Sequence, residues 1–352
     1  MTSNVLEGSR EWEFASILDA LQEAAVDQTA QSIVAVGDSI ELLGRLPDNC
    51  ISLILCDPPY HSTHKSNISG DRAFTEDSNF LEWMCSYASE WQRILKLSGT
   101  VYVFCSSHMV SRLDVAMSEY FLPVSNITWT KPNEPGFDGW KGKMSKESLR
   151  QWYPHSERIL VFEQGAYGEH MATRRTPLSA YLRQCRIDSG MTAKDLTGSI
   201  GAHGKVNHGG AVSNWETGRN VPSRDQYERM VEVLEGEGVI ENMLPYNDIV
   251  RPMSLSRDVE FTDVWTFPNV RPYRGKHPAE KPLEMMSHVV EASSYPGDIV
   301  LDCFSGSGGT GVASVLKGRR TVCIDIEEKW AKRTALNITE AIVGDAQGAL
   351  PL

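Results

Sequence analysis

A tetrapeptide at positions 57–60 carries residue types that could bind the amino group of a planar ligand. It consists of Asp57, Pro58, Pro59 and Tyr60. It follows the apolar run Ile51–Cys56, which is typical of a buried parallel strand, and ligands bind at the carboxyl ends of such strands. The prolines lack N–H donors, so carbonyls and the aspartate remain as acceptors beside a ring that offers a stacking surface. This set suits the exocyclic amine of a nucleobase, whereas a merely rigid turn would explain the prolines alone.

A glycine-rich turn near the C-terminus predicts a site for a nucleoside cofactor. The apolar run Ile299–Asp302 leads through residues 304–309 into a helix. Glycines let the backbone turn sharply and approach a ligand, and a helix N-terminus favours an anionic group. A second strand ends at Asp325, whose carboxylate could accept hydrogen bonds from ribose hydroxyls. The turn is not a P-loop, since no Gly-Lys-Ser/Thr follows it, and a plain tight turn is the structural alternative.

Both motifs lie where short apolar strands alternate with helices, which predicts a parallel α/β sheet. The predicted strands span 32–36, 51–56, 100–105, 124–130, 159–162, 299–302 and 321–324. The predicted helices span 11–27, 40–46, 79–97, 108–120, 282–293, 308–317 and 327–342, and Gly99 is expected to end the third of them. Residues 177–235 read as purely helical, so the α/β region is interrupted by an inserted helical module.

The two motifs together resemble those of the S-adenosylmethionine-dependent amino-DNA methyltransferases. Asp-Pro-Pro-Tyr comes first and Asp-x-Phe-x-Gly-x-Gly last, which is the order of the β-class of that family. The stretches from Gly37 to Asp48 and from His277 to Pro282 also resemble signatures of the class. The resemblance covers about half of the chain, and it implies a Rossmann-like, doubly wound, mostly parallel sheet in circularly permuted order.

The resemblance also implies S-adenosylmethionine as the cofactor. Asp302 and residues 304–309 would hold its methionine part, Asp325 its ribose and Asp38 its adenine, and residues 277–282 would lie against its carboxylate. The cofactor-binding residues implied in this way are Asp38, Ser39, Asp57, His277, Lys281, Asp302, Phe304, Ser305, Gly306, Ser307, Gly308, Asp325 and Ile326. The chemistry requires no metal.

The activity that the resemblance implies is methylation of the N6 amine of an adenine flipped out of duplex DNA. Asp57 and the Pro58 carbonyl would accept the two amine hydrogens and localise the nitrogen lone pair, while Tyr60 would stack on the base. Aspartate at the first motif position favours adenine over cytosine by family resemblance. The alternatives are N4-cytosine or RNA methylation, a regulator with a vestigial α/β domain, and a nicotinamide dehydrogenase. The intact motifs disfavour the regulator, and the late glycine-rich turn disfavours the dehydrogenase.

The inserted module resembles a helix-turn-helix of the Cro/repressor type. Predicted helices at 178–187, 193–200 and 210–217 precede one that starts at Arg224, and the third carries a Ser-x-Trp-Glu-x-Gly pattern. The implied DNA-binding residues of the module are Asn207, His208, Ser213, Asn214 and Arg219. A packing or dimerisation module is the alternative, and Trp215 is expected to be core in either case. The basic stretch 131–153, with Lys141 and Lys143, is a second candidate DNA surface.

Charge limits where DNA could bind. The net charge of −12 opposes a broadly phosphate-binding surface, because such a surface is basic. Residues 172–230, however, hold nine Lys and Arg against five Asp and Glu. The positive surface is therefore expected in the inserted module and in the 131–150 stretch.

Composition limits the class of protein and its compartment. Of the 352 residues, 41% are hydrophobic and 23% are charged, as in ordinary globular proteins. No apolar run reaches the roughly 18 residues of a membrane span, and the N-terminus lacks the features of a signal peptide. The seven cysteines include no C-x-x-C pair, so we expect reduced thiols in the cytoplasm of a bacterium or of a phage host.

The predicted organisation has three regions. Residues 1–165 form the N-terminal part of the methyltransferase domain, 166–270 a target-recognition region with the helix-turn-helix at 177–235, and 271–352 the C-terminal part with the cofactor turn. The expected partner is double-stranded DNA, with a second copy of the chain and a cognate restriction enzyme as further candidates.

Overall fold

The fold is known from a computed structural model of the chain. It describes residues 2–60, 74, 76–132, 150, 152, 155–173, 175–202, 209–236, 240, 242–253, 261–271 and 273–346. The strands are β1 (Ala25–Gln28), β2 (Ser32–Val36), β3 (Ile51–Cys56), β4 (Leu95–Cys105), β5 (Phe121–Thr130), β6 (Ser156–Gln164), β7 (Val264–Thr266), β8 (Ile299–Asp302) and β9 (Arg320–Asp325). The helices of the α/β region are α1 (Thr2–Leu21), α2 (Ser39–Leu43), α3 (Asp77–Ile94), α4 (Val110–Met117), α5 (Tyr167–Thr173), α11 (Leu283–Ser293), α12 (Gly309–Leu316) and α13 (Glu328–Ala346). Between them lie α6 (Pro177–Asp188), α7 (Ala193–Ser199), α8 (Gly210–Glu216), α9 (Arg224–Gly236) and α10 (Tyr246–Ile249).

The described strands form one mostly parallel sheet in the order β1-β2-β9-β8-β3-β4-β6-β5-β7. The central strands β2, β9, β8, β3 and β4 pair in parallel, whereas β1 and β6 add antiparallel pairs on either side. The fold is the predicted Rossmann-like α/β class. Leu53 pairs with Val300 and Ile54 with Leu301, so β3 and β8 lie side by side although they are far apart in the chain.

The core forms on both faces of the sheet because the central strands are apolar throughout. All six residues of β3 are buried. Ile54 packs on one face with α1, α3 and α4, through residues such as Trp91. Leu53 packs on the other face with α11, through Met285 and Val289. The continuous apolar run of the sequence thus reflects a strand that is covered on both sides.

Two predicted helices end earlier than expected. The helix predicted over 11–27 ends at Leu21, because residues 25–28 pair with β2 as an antiparallel edge strand. The helix predicted over 79–97 ends at Ile94, because Leu95 already pairs with Ile51 of β3. Gly99 therefore lies inside β4, where a Cβ would meet Leu95 at 2.4 Å, and it does not end a helix. Sheet pairing overrides the apolar periodicity at both places.

The inserted helices α6–α9 build an apolar core of their own. Trp215 is buried in it, as expected, with residues such as Leu196 and Met230. Thr192 caps α7 by accepting a hydrogen bond from the Asp195 backbone N–H. Arg186 and Glu216 tie α6 to α8 through an Nε–Oε1 contact of 2.5 Å and an Nη2–Oε2 contact of 3.0 Å.

A buried charge network links α1, β4, α10 and the turn before β8. Arg10 contacts Asp248 at 2.6 Å and Asp298 at 2.9 Å. Lys96 contacts Glu13 at 2.7 Å and Asp248 at 3.2 Å. Each of these three carboxylates contacts a buried cation, and the contacts fix α10 against the sheet.

Gly311 sets the close packing of α12, and we expect Gly311→Ala to lower the free energy of unfolding by about 1–3 kcal/mol. A Cβ there would lie 2.6 Å from Ile338 Cδ1 and 2.9 Å from Cys323 Sγ, so α12 would have to move away from α13 and β9. Urea denaturation followed by circular dichroism measures the loss.

The matched control is Gly198→Ala in α7, where a Cβ meets nothing within 4 Å. The gain in helix propensity should leave stability unchanged or raise it by up to about 1 kcal/mol. Equal denaturation curves for the two variants would show that Gly311 does not set the packing distance.

Candidate active site

A cavity of about 660 Å³ lies at the carboxyl ends of β3, β8 and β9. Such an edge is the expected ligand site of a parallel α/β sheet. The cavity is lined by all of the predicted catalytic and cofactor residues except Gly308. The two motifs meet there because β3 and β8 are neighbours in the sheet.

The glycine-rich turn is held by hydrogen bonds between its backbone and side chains that follow it in the chain. Asp325 accepts from the N–H of Gly306 at 2.8 Å and from that of Glu327 at 2.9 Å, so each of its carboxylate oxygens already has a partner. Gly306 has φ +51° and a Cβ would lie 3.2 Å from the His277 ring. Gly308 has φ +83° at the N-cap of α12, where a Cβ would strike Thr334 at 2.9 Å instead of facing the cavity. The turn requires glycine at both positions for conformation and space.

Asp302 is the carboxylate best placed to bind a cationic group. It is buried, and Oδ1 accepts a hydrogen bond from the Phe304 N–H at 3.0 Å. Burial raises the pKa of Asp302 to about 7, against the lowering effect of hydrogen bonds from Thr310 and Phe304. A positive ligand group beside Asp302 would favour its ionised form. The residues present therefore fit an amino-acid-bearing cofactor.

Aromatic side chains of α3 form a cavity wall that the sequence analysis did not assign to the site. Trp83 and Tyr87 line the cavity, and their ring centroids lie 5.6 Å and 5.0 Å from that of Phe304. They are four residues apart and so share a helix face, and this spacing was the available signal. The wall offers flat apolar surface to a ring system.

The remaining predicted cofactor residues shape the cavity from its other sides. Asp38 caps α2 by accepting from the Ile40 N–H at 2.9 Å, and Ser39 Oγ donates to the Cys303 carbonyl at 2.9 Å. His277 stacks edge-on against Trp330 with centroids 4.5 Å apart. Burial and nearby lysines lower the pKa of His277 to about 4, so its ring is neutral at pH 7.

Asp57 has one carboxylate oxygen bound and one free to accept. Oδ2 accepts a hydrogen bond from Lys281 Nζ. Oδ1 is buried and has no hydrogen-bond partner among the described residues. Burial raises the pKa of Asp57, and the Lys281 charge opposes that shift. A buried acceptor without a donor is costly, so this oxygen is suited to a donor supplied by a ligand.

Glu157, which the sequence analysis missed, joins the residues around Asp57. It accepts from the Tyr60 hydroxyl at 2.9 Å and from Lys131 Nζ at 2.5 Å, and it lies 3.8 Å from Lys281 Nζ. Burial raises the pKa of Glu157, but the two lysines outweigh it and lower the pKa overall. Its sequence signal was an acid at the start of an apolar strand, which also suits a solvent-facing residue.

The predicted DNA-binding residues lie away from this cavity or outside the described residues. Lys141, Lys143, Asn207 and His208 lie outside the described residues. Ser213 and Asn214 are half-buried on α8, and Arg219 is exposed just beyond it. None of these three lines the cavity.

Several other features of the described part of the chain bear on its class. None of its helices combines the length and apolar character needed to cross a bilayer. It contains no group of three His, Cys, Asp or Glu side chains that could hold a metal ion. Its seven cysteines are free thiols, six of them buried and Cys85 half-buried.

Known proteins with similar sequences and folds are DNA methyltransferases. The model of the N6/N4 methyltransferase family, described as DNA methylase, matches residues 51–336. DNA adenine methyltransferase YhdJ of Escherichia coli strain K12 is 24% identical over 299 residues, which cover 84% of this chain and 79% of the relative. Type II methyltransferase M2.MboI of Moraxella bovis is 23% identical over 325 residues, which cover 87% of this chain and 88% of the relative. PvuII DNA methyltransferase, named cytosine-N4-specific, shares the fold with a TM-score of 0.51 and 15% identity, over 91% of this chain and 94% of its own.

We expect Lys281→Met to lower the free energy of unfolding by about 3 kcal/mol at pH 8, because it leaves the buried Asp57 carboxylate without its cation. Asp57 already has a raised pKa, and loss of the lysine raises it further. Since the folded state then binds a proton that the unfolded state releases, the loss should shrink as the pH falls to 5. Urea denaturation at both pH values measures it.

Lys332→Met is the matched control, because Lys332 pairs with Glu328 on the exposed face of α13. Its removal should change stability by less than about 0.5 kcal/mol. A pH-independent loss in Lys281→Met would contradict the pairing as the cause.

Proposed function

This chain belongs to the N6/N4 DNA methylase family, and from that premise we propose that it methylates the N6 amine of an adenine flipped out of duplex DNA. S-adenosylmethionine is the methyl donor of the family, and when bound it supplies a methyl group on a positively charged sulfur. The observation that carries the proposal is the buried, unpartnered Oδ1 of Asp57 at the edge of the cofactor cavity. This oxygen is an acceptor to which an N–H group of the substrate could donate.

The residues around Asp57 have the roles that an aromatic amine requires. Asp57 Oδ1 and the Pro58 carbonyl accept the two N–H hydrogens, which concentrates the lone pair on the nitrogen. The Tyr60 ring stacks on the base and fixes its plane. Catalysis then consists of positioning and electrostatics, because positive charge develops on the amine nitrogen next to the Asp57 carboxylate.

Other residues that line the same cavity would hold the donor. Asp302 would pair with the ammonium group of the methionine part, and the backbone of residues 304–309 would supply further contacts to that part. Trp83, Tyr87 and Asp38 also line the cavity, and they would contact the adenine ring of the donor. Asp325 already accepts two backbone hydrogen bonds, so it would bind the ribose hydroxyls through its remaining lone pairs.

The proposal names adenine rather than cytosine as the base that is methylated. The support is the Asp-Pro-Pro-Tyr sequence together with one relative that is named a DNA adenine methyltransferase. N4-cytosine remains the alternative target. Its support is a structural neighbour that is named cytosine-N4-specific and whose similarity to this chain is one of fold. A wild-type reaction on DNA followed by nucleoside analysis separates the two, since N6-methyl-2′-deoxyadenosine and N4-methyl-2′-deoxycytidine differ in mass.

The α6–α9 module is proposed to be a helix-turn-helix that binds DNA. The support is the order of its helices, the capped start of α7, and the exposed Arg219 beside the half-buried Asn214. The local excess of positive charge fits contacts to phosphates. We further propose that the methylation protects DNA from a cognate restriction enzyme, because relatives are named type II methyltransferases.

Asp57→Ala should abolish methyl transfer, with at least a hundredfold loss in kcat, because the amine loses its acceptor. Transfer of tritium from labelled S-adenosylmethionine to unmethylated genomic DNA measures it. Calorimetry should give a Kd for S-adenosylhomocysteine within about threefold of wild type. The control is Asp19→Asn on the exposed face of α1, and full turnover by Asp57→Ala would end the proposed role.

Arg219→Ala and Asn214→Ala should each raise the KM for DNA by about five- to tenfold, since each removes one DNA contact. The KM for S-adenosylmethionine and the kcat at saturating DNA should not change. Arg45→Ala is the control, because Arg45 is an exposed arginine of the α/β region that pairs with Glu41 at 2.5 Å. If the KM for DNA of Arg219→Ala equals that of this control, the result favours a packing or dimerisation module over a DNA-binding one.

A further inference from the structure

Glu157 stands at a junction of three segments that are far apart in the chain. Its carboxylate receives the Tyr60 hydroxyl at 2.9 Å and the Lys131 ammonium at 2.5 Å, and it lies 3.8 Å from the Lys281 ammonium. Only 21% of its side chain is exposed, so these contacts are poorly screened by solvent. A carboxylate in this position can control where each partner lies.

The first partner is the ring proposed to stack on the base. Tyr60 is fixed at its hydroxyl end by Glu157, and the bond is charge-assisted because the acceptor is a carboxylate. Lys281 Nζ lies 5.1 Å from the centroid of the same ring. The plane of the ring is therefore set from both the hydroxyl end and the face.

The second partner is the lysine that binds Asp57. An ammonium beside one carboxylate can sit on either oxygen or between them. Because Glu157 attracts Lys281 from a second direction, the lysine is held against Oδ2 of Asp57, and the buried Oδ1 has no hydrogen-bond partner among the described residues. Glu157 thus acts on both groups proposed to contact the base amine.

Charge balance gives a third effect. Asp57 and Glu157 face Lys131 and Lys281, so the four groups sum to zero when all are ionised. Removing the Glu157 charge would leave one net positive charge close to the amine nitrogen, on which positive charge develops. That change would disfavour the transition state more than the binding of either substrate.

We propose that Glu157 is a positioning residue of the methyl-transfer reaction, holding the Tyr60 ring and the Lys281 ammonium so that one oxygen of Asp57 keeps its lone pairs for the target amine. The inference rests on the proposed function. Glu157 lies at the start of β6, outside both the Asp-Pro-Pro-Tyr motif and the glycine-rich turn.

The test uses the full-length Glu157→Gln variant, which keeps the size of the side chain and removes its charge. We expect kcat to fall about ten- to hundredfold, because a charge-assisted hydrogen bond is weakened and the base is misplaced. The KM for S-adenosylmethionine should stay within about twofold of wild type. Both are measured by tritium transfer to unmethylated genomic DNA.

The matched control is Glu163→Gln, on the same strand. Glu163 pairs with Arg251 at 3.2 Å and is 24% exposed, so it undergoes the same chemical change at similar burial away from the cavity. Its kcat should equal that of wild type. Equal kcat values for Glu157→Gln, Glu163→Gln and wild type would overturn the proposal.

A double-mutant cycle with Tyr60→Phe separates positioning from a general structural role. Part of the effect of Glu157→Gln should vanish in the Tyr60→Phe background, because the hydroxyl contact is already lost there. If the losses in kcat of the two single variants add fully in the double variant, the proposal is overturned. If Glu157→Gln does not fold, the proposal is overturned when the kcat of Tyr60→Phe equals that of wild type. Absence of any label transfer by the wild-type protein would instead refute the proposed function.

Discussion

The parallel pairing of β3 with β8 is the interaction on which the site depends. Leu53 and Ile54 pair with Val300 and Leu301, and this register places Asp57 and Asp302 at the same edge of the sheet. Both strands are fully buried, so the pairing is protected from water on both faces. The cavity follows from this register, because each strand ends in a turn that lines it.

Buried charge is the second constraint on the site, and the chain meets it by placing each charged group beside one of opposite sign. Asp57 and Glu157 face Lys281 and Lys131, so no ionised group in this set lacks an opposite partner. Ion pairs of this kind add little net stability, because desolvation offsets their attraction. Their value lies in geometry, since removal of one member displaces the others. A site that must present one open acceptor to a weakly nucleophilic amine gains from such rigidity.

The inserted helices form a separate apolar core but are joined to the sheet by charge. The network around Lys96 and Asp248 connects β4 with α10, and Ser98 Oγ donates to the Asn247 carbonyl at 2.7 Å. A module docked through several polar contacts keeps a defined position relative to the cavity. That arrangement suits a DNA-contacting unit, which must keep its register with the base that enters the site. The overall negative charge is compatible with this reading, because residues 172–230 hold nine Lys and Arg against five Asp and Glu.

The sequence by itself determined the fold class, the central strands and about half of the residues that line the cavity. These features are local, since apolar runs, glycines and Asp-Pro-Pro-Tyr act through their immediate neighbours. The ends of α1 and α3 could not be predicted, because sheet pairing decides them against helical periodicity at Leu95 and at residues 25–28. Glu157, Trp83 and the pairing of Lys281 with Asp57 were likewise decided only by the tertiary structure. Hydrogen bonds and ion pairs between residues 97 or 224 positions apart leave no periodic trace in the sequence, because folding alone brings the partners together.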